Sequence, residues 1–280
     1  MEMDGKVVVI TGASMGIGEA IAKVFADRGA SVVLLSRDAA RAEEARQRVG
    51  HTDRTLALAC DVRKREEIDR ALAATLERFG RVDVWANNAG VGIRESVTEL
   101  EMSACRELFE TNFFGAIGCL QAVVPAMRKN AGGQNAAGQN GTGQTAMRKT
   151  GGGTIINVSS VAGHVPLPFG AAYSATKFAL NAIGTGARME LKRDNINVLT
   201  VCPGYVRTDF GVHMVADRKS NFRPKSVQGI TAERVARATY DGYRKKKREV
   251  IVPWTMIPVI KLYQLLPGLV EWGIAKMMMK

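Results

Sequence analysis

The chain has few of the residues that build metal sites and disulfide frameworks. Its 280 residues include four cysteines and three histidines. The cysteines form no CxxC pair, and the histidines lie far apart without metal-ligand spacing, so neither a zinc site nor a disulfide scaffold is predicted and we expect no metal. Free thiols fit a reducing cytoplasm. These residues are Cys60, Cys105, Cys119, Cys202, His51, His164 and His213.

Long apolar runs are also missing. A membrane-spanning helix needs ~20 largely apolar residues. The tail, 254–280, is the most apolar segment, but it is interrupted by Pro258, Lys261, Pro267, Gly268, Glu271 and Lys276. The first six residues lead directly into an apolar run, which leaves no room for a signal peptide. We therefore expect a cytoplasmic protein whose tail does not cross a bilayer.

Acidic residues are scarce relative to basic ones. There are 27 Asp and Glu against 39 Lys and Arg, which gives a net charge of +12. Such an excess favours anionic partners, including nucleic acid. However, the basic residues are spread along predicted helices, and no nucleic-acid-binding motif or aromatic stacking platform accompanies them. An anionic cofactor and an anionic membrane surface are the simpler explanations, and we expect no nucleic acid partner.

Short apolar runs alternate with segments of helical periodicity. Strands are predicted at 7–10, 32–35, 56–59, 82–86, 154–158, 197–201 and 249–252, and helices at 19–28, 39–49, 65–79, 103–128, 173–193 and 232–246. Repeated βα units require a parallel sheet with helices on both faces. The predicted fold class is α/β, a single Rossmann-like doubly wound parallel sheet of about seven strands, with 1–253 as one catalytic domain.

A glycine-rich turn, TGASMGIG at 11–18, follows the first predicted strand and precedes the first predicted helix. Unpaired N–H groups and the positive end of the helix dipole would bind a pyrophosphate there. A Cβ at the glycines would block the tight turn and close approach of the cofactor. A second turn of interest, NNAG at 87–90, follows the strand at 82–86.

Tyr173, Lys177 and Ser160 form the most informative constellation. Residues four apart share a helix face, so the Lys177 ammonium can lie beside the Tyr173 phenol. A free phenol titrates near pH ~10, and a neighbouring cation should lower that pKa towards the range of a working acid or base. Ser160 closes a buried strand, and ligands bind at the carboxyl ends of strands in open α/β sheets.

In this order and spacing TGxxxGxG, NNAG, the serine and YxxxK resemble the short-chain dehydrogenase/reductase family, over roughly residues 5–253. The resemblance implies hydride transfer between a nicotinamide and a carbonyl or alcohol, and a sheet order of 3-2-1-4-5-6-7. It makes Tyr173 the acid/base and Ser160 the group that polarises the carbonyl. Lys177 would lower the tyrosine pKa and hold the ribose, and Asn112 would support a water in the proton relay.

The resemblance and the glycine-rich turn together predict the cofactor site. Its residues are Gly12, Ser14, Met15, Gly16, Ile17, Gly18, Ser36, Arg37, Asp61, Val62, Asn88, Ala89, Gly90, Tyr173, Lys177, Pro203, Gly204, Val206 and Thr208. Ser36 and Arg37 close the second strand, where a hydroxyl followed by an arginine can receive a 2′-phosphate. NADP(H) is therefore predicted. NAD(H) stays an alternative if Asp38 turns inward while Arg37 points to solvent.

The substrate side is less specific. The segment 205–229 lacks clear periodicity and is predicted to act as a mobile lid. Apolar residues after Ser160 either line the pocket or anchor their own loop: Val161, His164, Val165, Pro166, Leu167 and Phe169. They indicate a small hydrophobic carbonyl or alcohol substrate. An alternative hypothesis for the function is a membrane-docked scaffold that binds nucleotide without turnover. The family resemblance also implies a homodimer or homotetramer.

Two segments depart from the βα pattern. AMRK at 126–129 recurs at 146–149, so the Gly/Gln/Asn-rich stretch 130–153 is predicted to be an inserted flexible loop, either passive or partner-binding. The tail, 254–280, could form two short apolar helices in a membrane interface, helped by the basic run 244–248. Alternatively, it covers the cleft or a dimer contact. Similar extensions occur in family members that act on lipid-like or steroid substrates.

Overall fold

The computed structural model describes residues 1–130, 151–208, 210–211, 214–217 and 229–278. Most of the predicted insertion and the central part of the predicted lid lie outside these residues. The strands are β1 (Val7–Thr11), β2 (Ser31–Ser36), β3 (Thr55–Ala59), β4 (Val84–Asn87), β5 (Ile93–Arg94), β6 (Gly153–Val158), β7 (Ile196–Pro203), β8 (Ala216–Asp217) and β9 (Glu249–Val252).

Seven of these strands form one parallel sheet in the order β3-β2-β1-β4-β6-β7-β9. Counting only these seven along the chain, the order is the expected 3-2-1-4-5-6-7. Every neighbouring pair is parallel, and the direction of strand order reverses between β1 and β4. The carboxyl ends of β1 and β4 therefore open a crevice, which is where doubly wound sheets bind their ligands. The predicted fold class is confirmed.

The helices are α1 (Gly16–Ala26), α2 (Ala39–Val49), α3 (Arg65–Phe79), α4 (Met102–Phe109), α5 (Gly115–Lys129), α6 (Ala171–Glu190), α7 (Ala232–Arg244), α8 (Met256–Leu265) and α9 (Pro267–Met278). The predicted bounds of α2, α3 and β9 are met to the residue. The long helix predicted near 103–128 is continuous from α4 to α5, but a π-helical turn at Glu110–Phe114, which the sequence did not indicate, joins its two α-helical parts.

The core has two layers, one on each face of the sheet. Alternate strand residues such as Ile10 and Leu34 pack against α1 and α7 on one face. Their neighbours, such as Val9 and Leu35, pack against α3, α5 and α6 on the other. Strands that are buried on both faces are continuously apolar, so short hydrophobic runs in the sequence predicted where these strands lie.

The two described ends of the inserted segment lie together. The Asn130 side-chain amide donates to the carbonyl oxygens of Val82, at 2.7 Å, and Gly152, at 2.9 Å. The Gly152 amide in turn donates to Met127. The segment thus leaves and rejoins the fold at one point, beside the amino ends of β4 and β6.

Candidate active site

The glycine-rich turn is held against the turn after β4 by one hydroxyl and one amide. Thr11 Oγ1 accepts hydrogen bonds from the backbone N–H groups of Asn88 and Ala89, both at 3.0 Å. Asn88 Nδ2 donates back to the carbonyl oxygens of Thr11 and Gly12 at 3.0 and 2.9 Å. The two predicted cofactor turns are therefore one rigid unit at the crevice.

Three glycines of this turn allow it to pack closely against neighbouring parts of the chain. Gly12 has φ +63°, and a Cβ there would lie 2.8 Å from Ala89 Cα. A Cβ at Gly18 would overlap both the Gly12 carbonyl oxygen and the Asn88 amide. Gly16 has φ +58° and faces Thr208, which brings the segment after β7 over the start of α1. The turn is thus a tightly folded cradle, and no side chain caps the first N–H groups of α1, so it fits a dinucleotide pyrophosphate.

The end of β2 presents Arg37 rather than Asp38. The Asp38 carboxylate caps α2 by accepting from the N–H groups of Ala40 and Arg41 at 2.9 and 3.2 Å. It is therefore committed to the helix start. Ser36 is buried at the strand end, and Arg37 is exposed beside it.

Asp61 and Val62 follow β3 at the same edge. Although burial raises the pKa of Asp61, hydrogen bonds from Arg63 hold it below its usual range. The guanidinium contacts both carboxylate oxygens, at 2.6 to 3.0 Å. Val62 packs against Gly115 at the start of α5, where a Cβ would lie 2.8 Å from Val62 Cγ2. Sequence reasoning singled out Asp61 but missed Arg63.

Ser160 begins a tight turn after β6. Its Oγ accepts from the Ala162 N–H at 3.0 Å and lies 3.4 Å from the Pro203 carbonyl oxygen, to which it donates. The Ser160 hydroxyl also lies close enough to the Tyr173 phenol to lower its pKa. The predicted serine and tyrosine are thus together, although thirteen residues separate them.

Lys177 lies behind the phenol. Its side chain is 5% exposed, and its Nζ donates to the Val158 carbonyl oxygen at 3.0 Å and lies 5.6 Å from the centre of the Tyr173 ring. Tyr173 stands on the first turn of α6 and Lys177 on the next, as the i, i+4 spacing predicts. The pair faces the turn after β4, since a Cβ on Gly90 would lie 3.8 Å from the Lys177 Nζ.

The expected lowering of the phenol pKa is not what the structure gives. Burial raises the pKa of Tyr173 to about 12, and the neighbouring Ser160 hydroxyl offsets only part of this. Burial also lowers the pKa of Lys177 to about 8. Desolvation is the largest cause of both shifts, and it disfavours the charged form of the half-buried phenol and of the buried amine alike.

Asn112 lies in the π-helical turn and is 1% exposed. Its Oδ1 accepts from the Val91 N–H at 2.8 Å, and its Nδ2 donates to the Val91 carbonyl at 2.9 Å and to Thr176 Oγ1 at 3.2 Å. π-turns occur often at functional sites. Here the turn aims one amide at both the loop after β4 and the helix that carries Tyr173.

The described part of the segment after β7 closes over the tyrosine. The Phe210 ring lies 6.1 Å from the Tyr173 ring in an edge-on arrangement, and Phe210 also contacts Gly92. The Val215 N–H donates to the Gly92 carbonyl at 2.9 Å, and β5 pairs with β8 in parallel. Apolar side chains therefore border the phenol on this side.

The tail packs behind the Ser160 turn. Val161 and Val165 form a small buried cluster with Ile260 of α8 and Val270 of α9. These two valines anchor their loop to the tail, which was one of the two sequence-based alternatives for them. In the described residues no helix combines the length and hydrophobicity needed to cross a membrane.

Arg48 is a further residue of the site that sequence reasoning missed. It stands at the end of α2, donates to the Ser14 carbonyl oxygen at 3.1 Å and forms a paired contact with Glu19 at 2.9 Å. It therefore holds the glycine-rich turn from outside. No motif signals it, because 34 residues separate Arg48 from Ser14.

The family model for short chain dehydrogenase matches residues 6–136 and 140–219. The chain belongs to the short-chain dehydrogenase/reductase family. Dehydrogenase/reductase SDR family member 7B from Mus musculus is 32% identical over 273 residues, 94% of this chain and 78% of the relative.

Two solved structures share the fold. The 3-ketoacyl-(acyl-carrier-protein) reductase from Brucella melitensis, complexed with NADH, has a TM-score of 0.75 and 27% identity over 89% of this chain and 97% of its own. A metagenomic short-chain oxidoreductase in complex with NADP has a TM-score of 0.69 and 29% identity over 90% of this chain and 98% of its own. The family therefore supports oxidoreductase chemistry with a nicotinamide cofactor.

Proposed function

We propose that the protein is an NADP(H)-dependent reductase or dehydrogenase of small hydrophobic carbonyl compounds or alcohols. The observation that carries the proposal is the grouping of Ser160, Tyr173 and Lys177 at the carboxyl edge of the sheet, beside the glycine cradle. A bound nicotinamide supplies or accepts the hydride. Side chains of the protein itself carry out the proton transfer and polarise the carbonyl.

In the reductive direction Tyr173 donates its proton to the substrate oxygen as negative charge develops there. Ser160 donates a second hydrogen bond to the same oxygen and polarises the carbonyl. Lys177 holds the ribose and, with water supported by Asn112, returns a proton to the phenolate. A phenol with a raised pKa stays protonated between turnovers, which suits a group that must be loaded before it donates.

The cofactor preference is proposed from the end of β2. Because Asp38 caps α2, its carboxylate does not occupy the position where it would repel a 2′-phosphate. Arg37 is exposed beside it, and the Ser36 hydroxyl, which accepts from the Asp38 N–H at 3.4 Å, keeps its proton to donate to a phosphate oxygen. The relatives named above include complexes with both NADH and NADP. The choice therefore depends on residues of this chain.

We predict faster consumption of NADPH than of NADH with a panel of hydrophobic ketones, aldehydes and 3-ketoacyl thioesters. In the Arg37→Ala variant the KM for NADPH should rise roughly 10- to 100-fold, since a hydrogen bond to a charged group contributes about 1.5–3 kcal/mol. The KM for NADH should not change. Steady-state kinetics with each cofactor measures both effects.

The matched control is Arg65→Ala, which removes an exposed arginine at the start of α3. It should leave both KM values unchanged. A similar rise for NADH in Arg37→Ala, or an NADH preference in the unaltered chain, would refute the 2′-phosphate site. Absence of turnover with every carbonyl, alongside tight nucleotide binding, would instead support the non-catalytic scaffold.

The substrate is proposed to be apolar because Phe210, Gly92 and Val215 border the phenol. Assembly into a homodimer or homotetramer is proposed as well. Phe178 and Ile183 of α6 and Phe114 of the π-turn are exposed large apolar side chains on elements that also carry active-site residues. Burial of such a face between subunits would stabilise the site by covering apolar area.

The tail is the second region with an apolar surface. Nine of the nineteen exposed large apolar side chains among the described residues lie between 254 and 277. Leu265 is 78% exposed and Trp272 is 62% exposed. The basic run at 244–248 is exposed directly upstream. A tail that is anchored by Ile260 and Val270 but apolar on its outer side fits an anionic lipid surface.

We therefore predict that the full chain co-sediments with vesicles that contain phosphatidylserine. The double variant Leu265→Glu/Trp272→Glu should bind at least about 10-fold more weakly, because burial of each such side chain contributes about 1.5–3 kcal/mol. Val97→Glu, at another highly exposed apolar position, should bind as the unaltered chain does. Equal recovery of all three proteins in the supernatant would reject lipid binding.

A further inference from the structure

Three side chains from separate segments meet beneath the Ser160 turn. His164 follows that turn, Cys202 lies in β7, and Glu249 begins β9. His164 Nε2 lies 3.0 Å from Glu249 Oε1 and 3.5 Å from Cys202 Sγ, and the thiol lies 3.7 Å from the same carboxylate oxygen. Imidazole, thiol and carboxylate thus form a small triangle, although 85 residues separate His164 from Glu249.

The triangle has the dimensions of one face of a tetrahedral metal site. Zinc binds imidazole and carboxylate at about 2.0–2.2 Å and thiolate at about 2.3 Å, so tetrahedral angles place N and O about 3.3 Å apart, and S about 3.5 Å from each of them. The observed separations of 3.0, 3.5 and 3.7 Å agree to within a few tenths of an ångström. Small side-chain rotations would suffice to seat an ion.

Burial, charge and space also fit. Cys202 is fully buried, while His164 and Glu249 line a cavity of about 190 Å³ that also includes Thr200 and Gln264. A water in this cavity would complete the tetrahedron. A thiolate and a carboxylate neutralise a divalent cation, so the basic residues that line the same cavity would not repel the loaded site.

We propose that His164, Cys202 and Glu249 bind one zinc-class divalent cation. On binding, the thiol gives its proton to solvent and a sulfur–metal bond replaces the S–H bond, with no change of oxidation state. The ion ties together three elements around Ser160: its own turn, β7 beside Pro203, and β9. Its role is to position the Ser160 turn, and no step of the reaction passes through it.

The competing explanation is a hydrogen-bonded cluster that needs no ion. His164 and Glu249 are hydrogen-bonded already, and Asn181 Nδ2 lies 3.5 Å from the same imidazole nitrogen. The two explanations differ in whether the thiol becomes a ligand. A probe that reports a sulfur–metal bond directly therefore separates them.

The first experiment titrates the full-length, chelator-stripped chain with Co²⁺ and follows the thiolate-to-cobalt charge-transfer absorption. The expected result is one equivalent of Co²⁺ that Zn²⁺ displaces, with the band lost in Cys202→Ser and retained in Cys105→Ser, which removes a partly exposed cysteine in α4. No saturable band, or an unchanged band in Cys202→Ser, would overturn the proposal.

A second measurement uses thermal unfolding with and without Zn²⁺, because an ion that binds only the folded chain raises its Tm. The Tm of the unaltered chain should rise with Zn²⁺. Glu249→Gln keeps a hydrogen-bond acceptor beside His164 but removes a ligand charge, and its Zn²⁺ affinity should fall by at least about 10-fold. Equal Tm shifts in the two proteins would show that Zn²⁺ binds elsewhere and would reject the site.

Discussion

Replacing Tyr173 with phenylalanine is expected to lower kcat/KM by roughly 10²–10⁴-fold, because a positioned general acid contributes about that much to the rate. The variant keeps the ring that packs against Phe210 at 6.1 Å and loses only the hydroxyl. Cofactor affinity should change little. The comparison of NADPH-dependent turnover with cofactor binding by fluorescence separates the loss of chemistry from the loss of the nucleotide.

Tyr243→Phe is the matched control. This tyrosine packs against Phe25 on α1, far from the active site, so removal of its hydroxyl should leave turnover unchanged. If Tyr173→Phe retained full activity while Tyr243→Phe did too, the acid assigned to the reaction would be the wrong group. The proposal would then need another proton donor within reach of the substrate oxygen.

Replacing Lys177 with methionine is expected to reduce activity by at least about 10²-fold while leaving the fold as stable or more stable near neutral pH. The lowering of its pKa from 10.5 to about 8 corresponds to a cost of folding on the order of 3 kcal/mol. The substitution removes this cost but also removes the hydrogen bond to the Val158 carbonyl oxygen, whose loss lowers the stability by about 1–3 kcal/mol. Urea unfolding measures the balance.

The effect of Lys177 on folding stability depends on pH. Between pH 8 and 10.5 the unfolded chain retains a proton on Lys177 that the folded chain has released. The contribution of Lys177 to stability therefore rises with pH across this window, and its deficit is fully present below pH 8. The advantage of Lys177→Met should shrink from pH 7 to pH 10 in chelator-containing buffer. Lys192→Met, at an exposed position, should show no such trend.

Much of the fold was predictable because it depends on local patterns. Short apolar runs marked the sheet strands, and helical periodicity placed α2 and α3 to the residue. The position of the crevice was predictable as well, since Thr11, Gly12 and Gly18 belong to a glycine-rich turn between a strand and a helix, a pattern typical of a phosphate-binding loop. The i, i+4 spacing of Tyr173 and Lys177 likewise placed the amine beside the phenol.

The pKa values could not be read from spacing. The sequence placed a cation next to a phenol and so predicted a lowered phenol pKa, but the depth of burial decides the sign of the shift and raises that pKa to about 12. The π-turn that orients Asn112 was missed for a related reason. Its partners, Val91 and Thr176, come from other segments, and helical periodicity does not report an extra residue in a turn.

The order of its motifs along the chain determined the family, the sheet and the identity of the candidate catalytic residues, because each motif is local and carries its own geometry. Contacts between distant segments decided the rest. Arg48 reached the glycine-rich turn, the tail packed behind Ser160, and His164 met Cys202 and Glu249 only through the crossing of strands. Such contacts depend on the packing of the whole sheet, so no short segment of the sequence predicts them.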